Sequence, residues 1–419
     1  MRNRKTTTQK MRDLRVNTVF VPAFILAILS ICFATVVYAD YQVINETSNN
    51  VGPPNELLEV TETQIQDGDH PLNTFTIHRV KKPNAEKRGT VLLLPSLGNS
   101  FAMYEVTENN NYQHSFAGIL AKKGFVVYGY STREKGINAG ECGISIDCTP
   151  MLDWGLQTIV NDIEFIRTQI ASDYPGLPPV IGGLSLGSIA SLAVVNDNPA
   201  GYAGLIAWEG SIYSDDSAVQ NHNLGFCTAF DNLLAGGVPA DEQNLPFVKL
   251  VAALAKSNPS DPFLIPVPGF PPGLTNHQAL VFILSVPNPI APSPKDGFIT
   301  VNGDFTAGEF FYADEARLIA SLEVFNDILP HRYSRDLNCA LAGDTTFTSN
   351  LDNFTGPAYV IKAGLGFGSI MDELPGVLVN ATITMDSMEN FAHVDQMMAP
   401  YHKSILEKPI IRWMKKEVY

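Results

Sequence analysis

The sequence predicts an α/β fold with a doubly wound, mostly parallel sheet and an inserted cap. Short apolar segments alternate with helical segments over residues 56–212, and this order predicts a parallel sheet with helices on its faces. The alternation stops at about Tyr213 and resumes at Ala358, which indicates an insertion late in the sheet. Of the 419 residues, 45% are hydrophobic and 17% are charged, a composition that can fill a large core.

Six short segments are predicted to be strands. One of them, TVLLL, is wholly apolar, as expected of a strand that is buried on both faces of a sheet. In chain order the six are Thr74–Val80, Thr90–Leu94, Phe125–Tyr130, Pro179–Ile181, Leu205–Trp208 and Ala358–Ala363. Apolar residues recur at helical spacing between and after these strands, at Ser115–Lys123, Met151–Ser172, Leu186–Val195 and Tyr401–Lys416.

The inserted cap is predicted to span residues 213–355. It holds two proline-rich stretches, SNPSDPFLIPVPGFPPG and VPNPIAPSP, and helical pieces near Pro246–Lys256 and Ala313–Ile328. An insertion of about 140 residues is too long for a simple loop. A separate domain is the alternative, but the sheet pattern resumes afterwards, which favours a cap between core segments 56–212 and 356–419.

The amino-terminal segment has the pattern of a secretory signal peptide, residues 1–39. Six basic residues precede an apolar stretch over residues 19–38, and small residues precede the cleavage point after Ala39. The alternative is an uncleaved membrane anchor formed by residues 19–38, because that stretch is about as long as a bilayer is thick. The polar residues 40–55 are predicted to be a flexible arm.

Charge limits the partners that this chain can have. The formal net charge is −15, and removal of the signal peptide would bring it to about −20. Such a charge argues against nucleic acids and anionic membrane surfaces as partners. Contact with a membrane is expected only through the amino-terminal segment, if that segment is not cleaved.

Four cysteines would remain after cleavage, and an even number in an exported chain predicts disulfides. Cys142 and Cys148 lie in one short loop and are predicted to pair, which leaves Cys227 and Cys339 to close a large loop. Free buried thiols are the alternative. The sequence has no CxxC motif or Cys/His cluster, so neither a metal nor another cofactor is expected.

A candidate nucleophile stands in the segment VIGGLSLGSIASL. The residues from Gly183 to Gly187 match G-x-S-x-G, and they lie between a predicted strand and a predicted helix. In that setting the motif forms a sharp turn that exposes the central hydroxyl, here that of Ser185. The alternative is a glycine-rich turn in which the serine caps the following helix.

A serine nucleophile needs a base and an oxyanion hole. His393 lies in the loop MENFAHVDQ, after the last predicted strand and before the last helix, and it is the candidate base. The N–H of Leu186, directly after the nucleophile, is one candidate oxyanion donor. The other should come from the turn after TVLLL, where Leu97 is the candidate, since Pro95 has no N–H.

These segments resemble those of the α/β-hydrolases. The resemblance covers roughly Thr90–Gly210 and Ala358–Trp413, and it rests on four segments: LLLPSLGNS, GFVVYGYSTREKG, GGLSLG and FAHVDQ. It implies a Ser-His-acid triad and an oxyanion hole in the turn after TVLLL. One departure is that Pro95-Ser96 stands where many members have His-Gly.

The acid of the triad is the second departure. In the family it usually follows the strand before the histidine loop, and Asp372 is the first carboxylate there. The other known place is the end of the strand after the nucleophile helix, where Glu209 stands, and this residue is preferred. Some haloalkane dehalogenases resemble that placement, but their nucleophile is an aspartate. Three other candidates are Asp215, Asp216 and Asp386.

The expected function is that of an exported, secreted or periplasmic serine hydrolase that cleaves carboxylic esters through an acyl-enzyme. The apolar, proline-rich cap predicts an apolar small-molecule ester as substrate, such as a lipid-like or aromatic ester. The alternatives are amide or peptide hydrolysis or acyl transfer on the same triad, and a binding protein that has the fold without catalysis.

Overall fold

The structure is a computed structural model that describes residues 41–107, 111–286, 297–302 and 308–419. The chain divides into two units, residues 1–41 and 42–419, and the architecture below is that of the second. The predicted signal peptide and its alternative, the anchor over residues 19–38, lie outside the described residues. None of the helices in the described part of the chain is both long enough and apolar enough to span a bilayer.

Nine strands form the central sheet. They are β1 (Tyr41–Val51), β2 (Leu58–Asp67), β3 (Thr74–Lys81), β4 (Gly89–Leu94), β5 (Phe125–Ser131), β6 (Val180–Leu184), β7 (Gly204–Trp208), β10 (Pro357–Ala363) and β11 (Thr382–Met388). Their spatial order is β1-β2-β3-β5-β4-β6-β7-β10-β11. All neighbours from β5 to β11 pair in parallel, whereas β2 with β3 and β3 with β5 are antiparallel. The predicted mostly parallel sheet is therefore confirmed.

Among the described residues, three helices lie in the first half of the core, and five more follow in the insertion. The former are α1 (Phe116–Lys122), α2 (Leu156–Asp173) and α3 (Leu186–Asp197). The latter are α4 (Ser217–Ala235), α5 (Asn244–Ser257), α6 (Asn276–Ser285), α7 (Glu315–Glu323) and α8 (His331–Leu341). Short helices α9 (Gly368–Met371) and α10 (Asp395–Met398) precede the carboxyl-terminal helix α11 (Lys408–Trp413).

The strand order creates a switch point beside β4. The chain passes from β4 to β5 on one side and then returns to β6 on the other side. In open parallel sheets, ligands bind at the carboxyl ends of the strands at such a point. The strands on either side of this point are apolar and buried throughout, since every residue of β4, β5, β6 and β7 is buried. They therefore form a rigid base for residues at their ends.

The insertion between β7 and β10 packs on the core of the sheet. Buried residues of the insertion, such as Val251 in α5 and Leu280 in α6, belong to the same hydrophobic cluster as Leu93 and Val127 of the sheet. A two-stranded ribbon, β8 (Ala240–Asp241) with β9 (Leu329–Pro330), joins distant parts of the insertion. A hydrophobic core that is shared between the insertion and the sheet is expected of an inserted cap.

The structure differs from the sequence predictions in several elements. The arm that was predicted to be flexible over residues 40–55 forms strand β1 over Tyr41–Val51, at the edge of the sheet and largely exposed. Pairing of its backbone with the neighbouring strand orders a segment that has little apolar surface to bury. The helix predicted over Ala313–Ile328 ends at Glu323. Strands β2 and β11 and helices α4, α6 and α8 were not predicted.

Candidate active site

Ser185 occupies the turn between β6 and α3. Its backbone has φ 59° and ψ −118°, a conformation that residues other than glycine rarely adopt. The pairing of β6 with β7 holds this turn in place, because the Ser185 N–H donates to the Trp208 carbonyl of β7 at 2.9 Å. A strained serine between a strand and a helix is the arrangement that exposes a nucleophilic hydroxyl at the carboxyl edge of a sheet.

The glycines of the motif are required by the close approach of β4. A Cβ on Gly183 or on Gly187 would lie only 2.1 Å from the Leu94 carbonyl oxygen. Any side chain at either position would push β4 away from the turn. The motif residues thus bring the end of β4, and with it the Pro95–Asn99 segment, close to Ser185.

Glu209 stands next to Ser185 on the neighbouring strand. Leu184 and Trp208 are register partners of β6 and β7, so the residue after each lies at the same level of the carboxyl edge. Glu209 also has a positive φ, 48°, and its N–H donates to Ile361 of β10 at 2.9 Å. Two strained residues therefore lie side by side where the parallel strands end.

The Glu209 carboxylate is fully buried, and three N–H groups bind it. Oε1 accepts from the Ala363 N–H at 2.5 Å, and Oε2 accepts from the Phe367 N–H at 3.0 Å. Oε2 also bonds to Nδ1 of His393 at 3.2 Å. A Cβ on Gly366 would lie 2.1 Å from that oxygen, so the loop after β10 has to pass close by without a side chain. These contacts orient the carboxylate toward the imidazole.

His393 is buried beneath two aromatic side chains. Its relative exposure is 2%, and its ring lies 4.7 Å from that of Phe367 and 5.8 Å from that of Phe298, between ring centroids. Because the Glu209 carboxylate can only accept a hydrogen bond, Nδ1 of His393 is the donor, so it carries the hydrogen in the neutral ring and Nε2 keeps its lone pair. The imidazole is thereby prepared to accept a proton at Nε2.

Asp395 holds the histidine loop to the cap. Its carboxylate accepts from the Ala392 N–H at 2.7 Å and from the Thr300 hydroxyl at 2.6 Å. Burial raises the pKa of Asp395 to about 6, although the hydrogen bonds from Thr300 and Ala392 act in the opposite direction. The Val394 N–H also donates to the Phe298 carbonyl at 3.0 Å. The two residues that follow His393 are thus bonded to residues of the insertion between β7 and β10.

The other candidate acids have different partners. Asp372 pairs with Lys362 at 2.6 Å, and its side chain is 51% exposed. Asp386 accepts from the Tyr359 hydroxyl, and Asp216 accepts from the Ala218 N–H at the start of α4. The Asp215 N–H donates to Glu373. The structure thus brings Glu209, and not Asp372, to His393.

The candidate oxyanion donors lie at the two turns beside the nucleophile. Leu186 is the first residue of α3, where N–H groups have no partner within the helix. Leu97 lies in the turn after β4, in which the Asn99 N–H donates to the Ser96 carbonyl at 3.0 Å. The close approach of β4 brings this turn to the same edge of the sheet as Ser185.

Both predicted disulfides are formed, Cys142 with Cys148 and Cys227 with Cys339. Disulfides are typical of oxidising compartments outside the cytosol. Three residues in the described part of the chain have potential ligand atoms close enough together to hold a metal ion: Cys227, Asp231 and Cys339. Its sulfurs form the second disulfide, and Asp231 pairs with Arg335 at 2.9 Å.

Two residues of the site were not predicted from the sequence. The buried Tyr104 hydroxyl donates to the Leu94 carbonyl at 2.7 Å and accepts from the Leu184 N–H at 3.0 Å, so it joins the strand ends that precede the two turns. Asn326 reaches the turn after β4 from the cap. No sequence pattern identifies either residue, because each acts through contacts with distant parts of the chain.

Comparison with known proteins identifies the fold. No protein-family model and no curated protein sequence matches the chain. A candidate lipase from Sulfolobus solfataricus has a crystal structure that is similar over 90% of this chain and 99% of its own, with 17% identity and a TM-score of 0.64. A carboxyl esterase from Bacillus coagulans covers 90% and 100%, with 14% identity and a TM-score of 0.47. The strand order, the nucleophile turn and the first of these likenesses agree: the chain has the α/β-hydrolase fold.

Proposed function

We propose that this protein is an exported serine hydrolase that cleaves carboxylic esters through an acyl-enzyme. One observation carries the proposal: a strained serine lies at the same sheet edge as a buried glutamate that is bonded to a histidine. Strain of this kind persists only where the surrounding structure imposes it, and it is concentrated at functional sites. A serine, a histidine and a carboxylate in these roles are the components of a serine hydrolase.

The proposed reaction begins with attack of the Ser185 Oγ on the carbonyl carbon of the ester. Nε2 of His393 takes the hydroxyl proton and then gives it to the departing alcohol oxygen, which leaves the acyl group on Ser185. Water, activated in the same way, then attacks the acyl-enzyme and releases the acid. Glu209 holds the Nδ1 proton and stabilises the imidazolium that forms in each step.

The tetrahedral intermediates carry a negative oxygen that needs preorganised donors. We assign this task to the backbone N–H groups of Leu97 and Leu186, which come from the two turns at the sheet edge. Loss of one such donor typically raises the barrier by about 3 kcal/mol. Backbone donors on a well-held turn need little reorganisation when the charge develops.

The substrate is proposed to be an apolar small-molecule ester, such as a lipid-like or aromatic ester. Three partly exposed apolar side chains surround the site: Phe298 and Phe367 lie against His393, and Leu245 of α5 lies over the turn at Gly98. Apolar walls with a few convergent polar groups are usual in sites for apolar small molecules. The structure from Sulfolobus solfataricus is that of a candidate lipase, and an ester substrate is consistent with this likeness.

Export is supported by the two disulfides and by the signal-like pattern of residues 1–39. If residues 19–38 are retained instead, they would anchor the protein in a membrane. The acidic net charge makes a nucleic-acid partner unfavourable in either case.

Labelling with a fluorophosphonate, followed by a screen of p-nitrophenyl esters of increasing acyl length, tests the proposal. The wild type and Ser349→Ala, which changes an exposed serine, should be labelled and should hydrolyse esters. Ser185→Ala should not be labelled, and its kcat should fall by up to about 10⁶-fold. Residual activity of Ser185→Ala within about tenfold of the wild type would reject the serine mechanism.

Two other outcomes of the same experiment identify the alternatives. Labelling of Ser185 without hydrolysis of any ester would favour amide or peptide hydrolysis or acyl transfer. A folded wild type that the probe does not label would favour a binding protein without catalysis.

A further inference from the structure

One cap residue, Asn326, is bonded to the turn that follows β4. It lies between α7 and β9 and is 5% exposed. Its backbone N–H donates to the Gly98 carbonyl at 2.8 Å, and its side-chain amide nitrogen lies 3.4 Å from the Asn99 carbonyl oxygen. A residue from the insertion therefore contacts two successive carbonyl groups of the turn.

These bonds bear on the direction of the Leu97 N–H. The Gly98 carbonyl and the Asn99 N–H belong to one rigid peptide unit, and that N–H donates to the Ser96 carbonyl. The Ser96 carbonyl in turn belongs to the same peptide unit as the Leu97 N–H. Gly98 has φ 72°, as required at the third position of a type II turn. A shift at Gly98 is thus transmitted through two peptide planes to the Leu97 N–H.

The Asn326 amide is itself held in a buried polar network. Its nitrogen lies 3.3 Å from the Thr132 Oγ1 and 3.1 Å from the Glu134 Oε1. The Thr132 hydroxyl also donates to Glu134 Oε1 at 2.7 Å, and the Tyr333 hydroxyl donates to Oε2 at 3.3 Å. Because all the partners of the amide nitrogen are acceptors, the NH₂ end of the side chain faces the turn and the network.

A lysine of α5 holds the residues on both sides of Asn326. The Lys249 ammonium donates to the Phe325 carbonyl at 3.2 Å and forms an ion pair with Asp327. The backbone at Asn326 is therefore fixed from the cap side, while its side chain is fixed from the core side. This double attachment is what a positioning element requires.

We propose that Asn326 is a positioning residue of the oxyanion hole, which keeps the turn Ser96–Asn99 in the form that presents the Leu97 N–H to the reacting oxygen. The inference rests on the proposed function. If residues 325–327 were displaced, the turn Ser96–Asn99 would no longer be held. This part of the cap is therefore a fixed component of the site. Asn326 itself touches no reacting atom.

The kinetic signature follows from the charge of the reacting oxygen. A misplaced N–H weakens binding of the oxyanion in the transition state more than binding of the neutral carbonyl in the substrate. Removal of the Asn326 amide keeps the backbone N–H of residue 326, but it removes the bond to the Asn99 carbonyl and the bonds to Thr132 and Glu134 that hold this residue against the turn. It should therefore lower kcat and leave KM nearly unchanged. It should also weaken binding of a trifluoromethyl ketone, which forms a tetrahedral oxyanion adduct with the nucleophile, by about the same factor as kcat.

The test compares Asn326→Ala with Asn338→Ala. Asn338 is also a fully buried cap asparagine, but its amide donates to the Ser334 carbonyl within its own helix, α8. The concentration of active sites is measured by fluorophosphonate labelling, and kcat is calculated from it. Unfolded molecules therefore do not lower the kcat of a variant. We expect kcat to fall between about 10- and 100-fold for Asn326→Ala, less than for complete loss of a donor, and by less than about threefold for Asn338→Ala.

A second variant keeps the test decisive if Asn326→Ala does not fold. Lys249→Met removes a half-exposed ammonium and its two contacts beside Asn326, and it should lower kcat in the same direction with KM unchanged. Equal losses in Asn326→Ala and Asn338→Ala, a change confined to KM, or an unchanged trifluoromethyl ketone affinity would overturn the inference. These results differ from failure of the proposed function, in which the wild type itself would not be labelled, and that result would overturn both.

Discussion

Glu209 and His393 are 184 positions apart in the chain, and they meet through a bond of 3.2 Å between the carboxylate Oε2 and the ring Nδ1. Both side chains are buried, with 0% and 2% exposure. Two backbone N–H groups, from Ala363 and Phe367, hold the same carboxylate, so its orientation does not depend on the imidazole. The carboxylate partner of the histidine is therefore at the end of β7.

Replacement of Glu209 by glutamine should separate the two candidate acids. Glu209→Gln keeps the size of the side chain, but it removes the negative charge and can offer an N–H₂ to Nδ1, which stabilises the wrong tautomer of His393. In a triad, the corresponding change costs about 10⁴ in kcat. Asp372→Asn is the matched control, because Asp372 pairs with Lys362 at the surface. We expect a loss of more than about a hundredfold for the first variant and less than about tenfold for the second.

Steady-state kinetics of both variants, with circular dichroism to verify folding, provides the measurement. The reverse ranking would assign the acid to the loop after β10. If neither variant loses activity, the same substitution at Asp215, Asp216 and Asp386 is the next experiment.

The turn at Ser185 could be predicted because its signal is local. An apolar strand, two glycines, a serine and a helix follow one another within about 18 residues, so Ser185 is recognisable without tertiary information. The preference for Glu209 came from its place at the end of a predicted strand. Its bond to His393 depends on the register of β7 with β10 and on the path of the loop at Gly366. For that reason the sequence alone does not exclude Asp372 as the acid.

The elements that the sequence did not reveal have weak periodicity or are stabilised by distant contacts. Strand β11 is polar and mostly exposed, with the sequence TITMDSM, and it forms only because it pairs with β10 at the edge of the sheet. Helix α4 has few buried residues and is held by the disulfide to α8. Tyr104 and Asn326 act through bonds to backbone groups, which leave no signature in residue spacing.

Tyr104→Phe should destabilise the protein and reduce its activity. The hydroxyl satisfies the Leu94 carbonyl and the Leu184 N–H, both at buried positions, and its loss leaves both groups without that partner. An unsatisfied buried group costs about 1–3 kcal/mol. Since these groups precede the turn Ser96–Asn99 and Ser185, kcat should fall as well, whatever the acyl chain of the substrate.

Denaturant unfolding of Tyr104→Phe beside Tyr128→Phe measures this effect. The Tyr128 hydroxyl donates to Asp173, whose side chain is 41% exposed, so water can replace it. We expect a loss of at least about 1 kcal/mol for Tyr104→Phe and less for Tyr128→Phe. Equal losses with unchanged kcat would show that Tyr104 does not join the two turns.

The two disulfides should contribute unequally to stability. Cys227 and Cys339 are separated by 112 residues, whereas Cys142 and Cys148 are separated by 6. In the chain-entropy account, a cross-link stabilises more when it closes a longer loop, about 4–5 kcal/mol for the longer one and about 2 kcal/mol for the shorter one. Urea unfolding of the double alanine variants should show this order. Equal destabilisation, or free thiols in the exported protein, would contradict it.

The last prediction concerns Glu134, which shares the buried network with Asn326. Burial raises the pKa of Glu134 to about 7, although hydrogen bonds from Thr132, Tyr333 and Asn326 favour the ionised form and offset part of the effect. A carboxyl with a raised pKa in the folded state stabilises that state most below its ordinary pKa of 4.5. This contribution is lost as the pH rises from 4.5 to about 7, because in that range the unfolded chain releases the proton while the buried group keeps it.

Glu134→Gln removes this ionisation and keeps a side chain of similar shape in the network. The free energy of unfolding of the variant, relative to that of the wild type, should therefore increase between pH 4.5 and pH 8, by up to about 3 kcal/mol. Other buried carboxyls with raised pKa values, such as Asp395, titrate in both proteins and cancel in the difference. Denaturant unfolding of both proteins at pH 4.5, 6 and 8 provides the measurement. A relative stability that is constant with pH, or that decreases toward pH 8, would show that the folded state does not raise the pKa of Glu134.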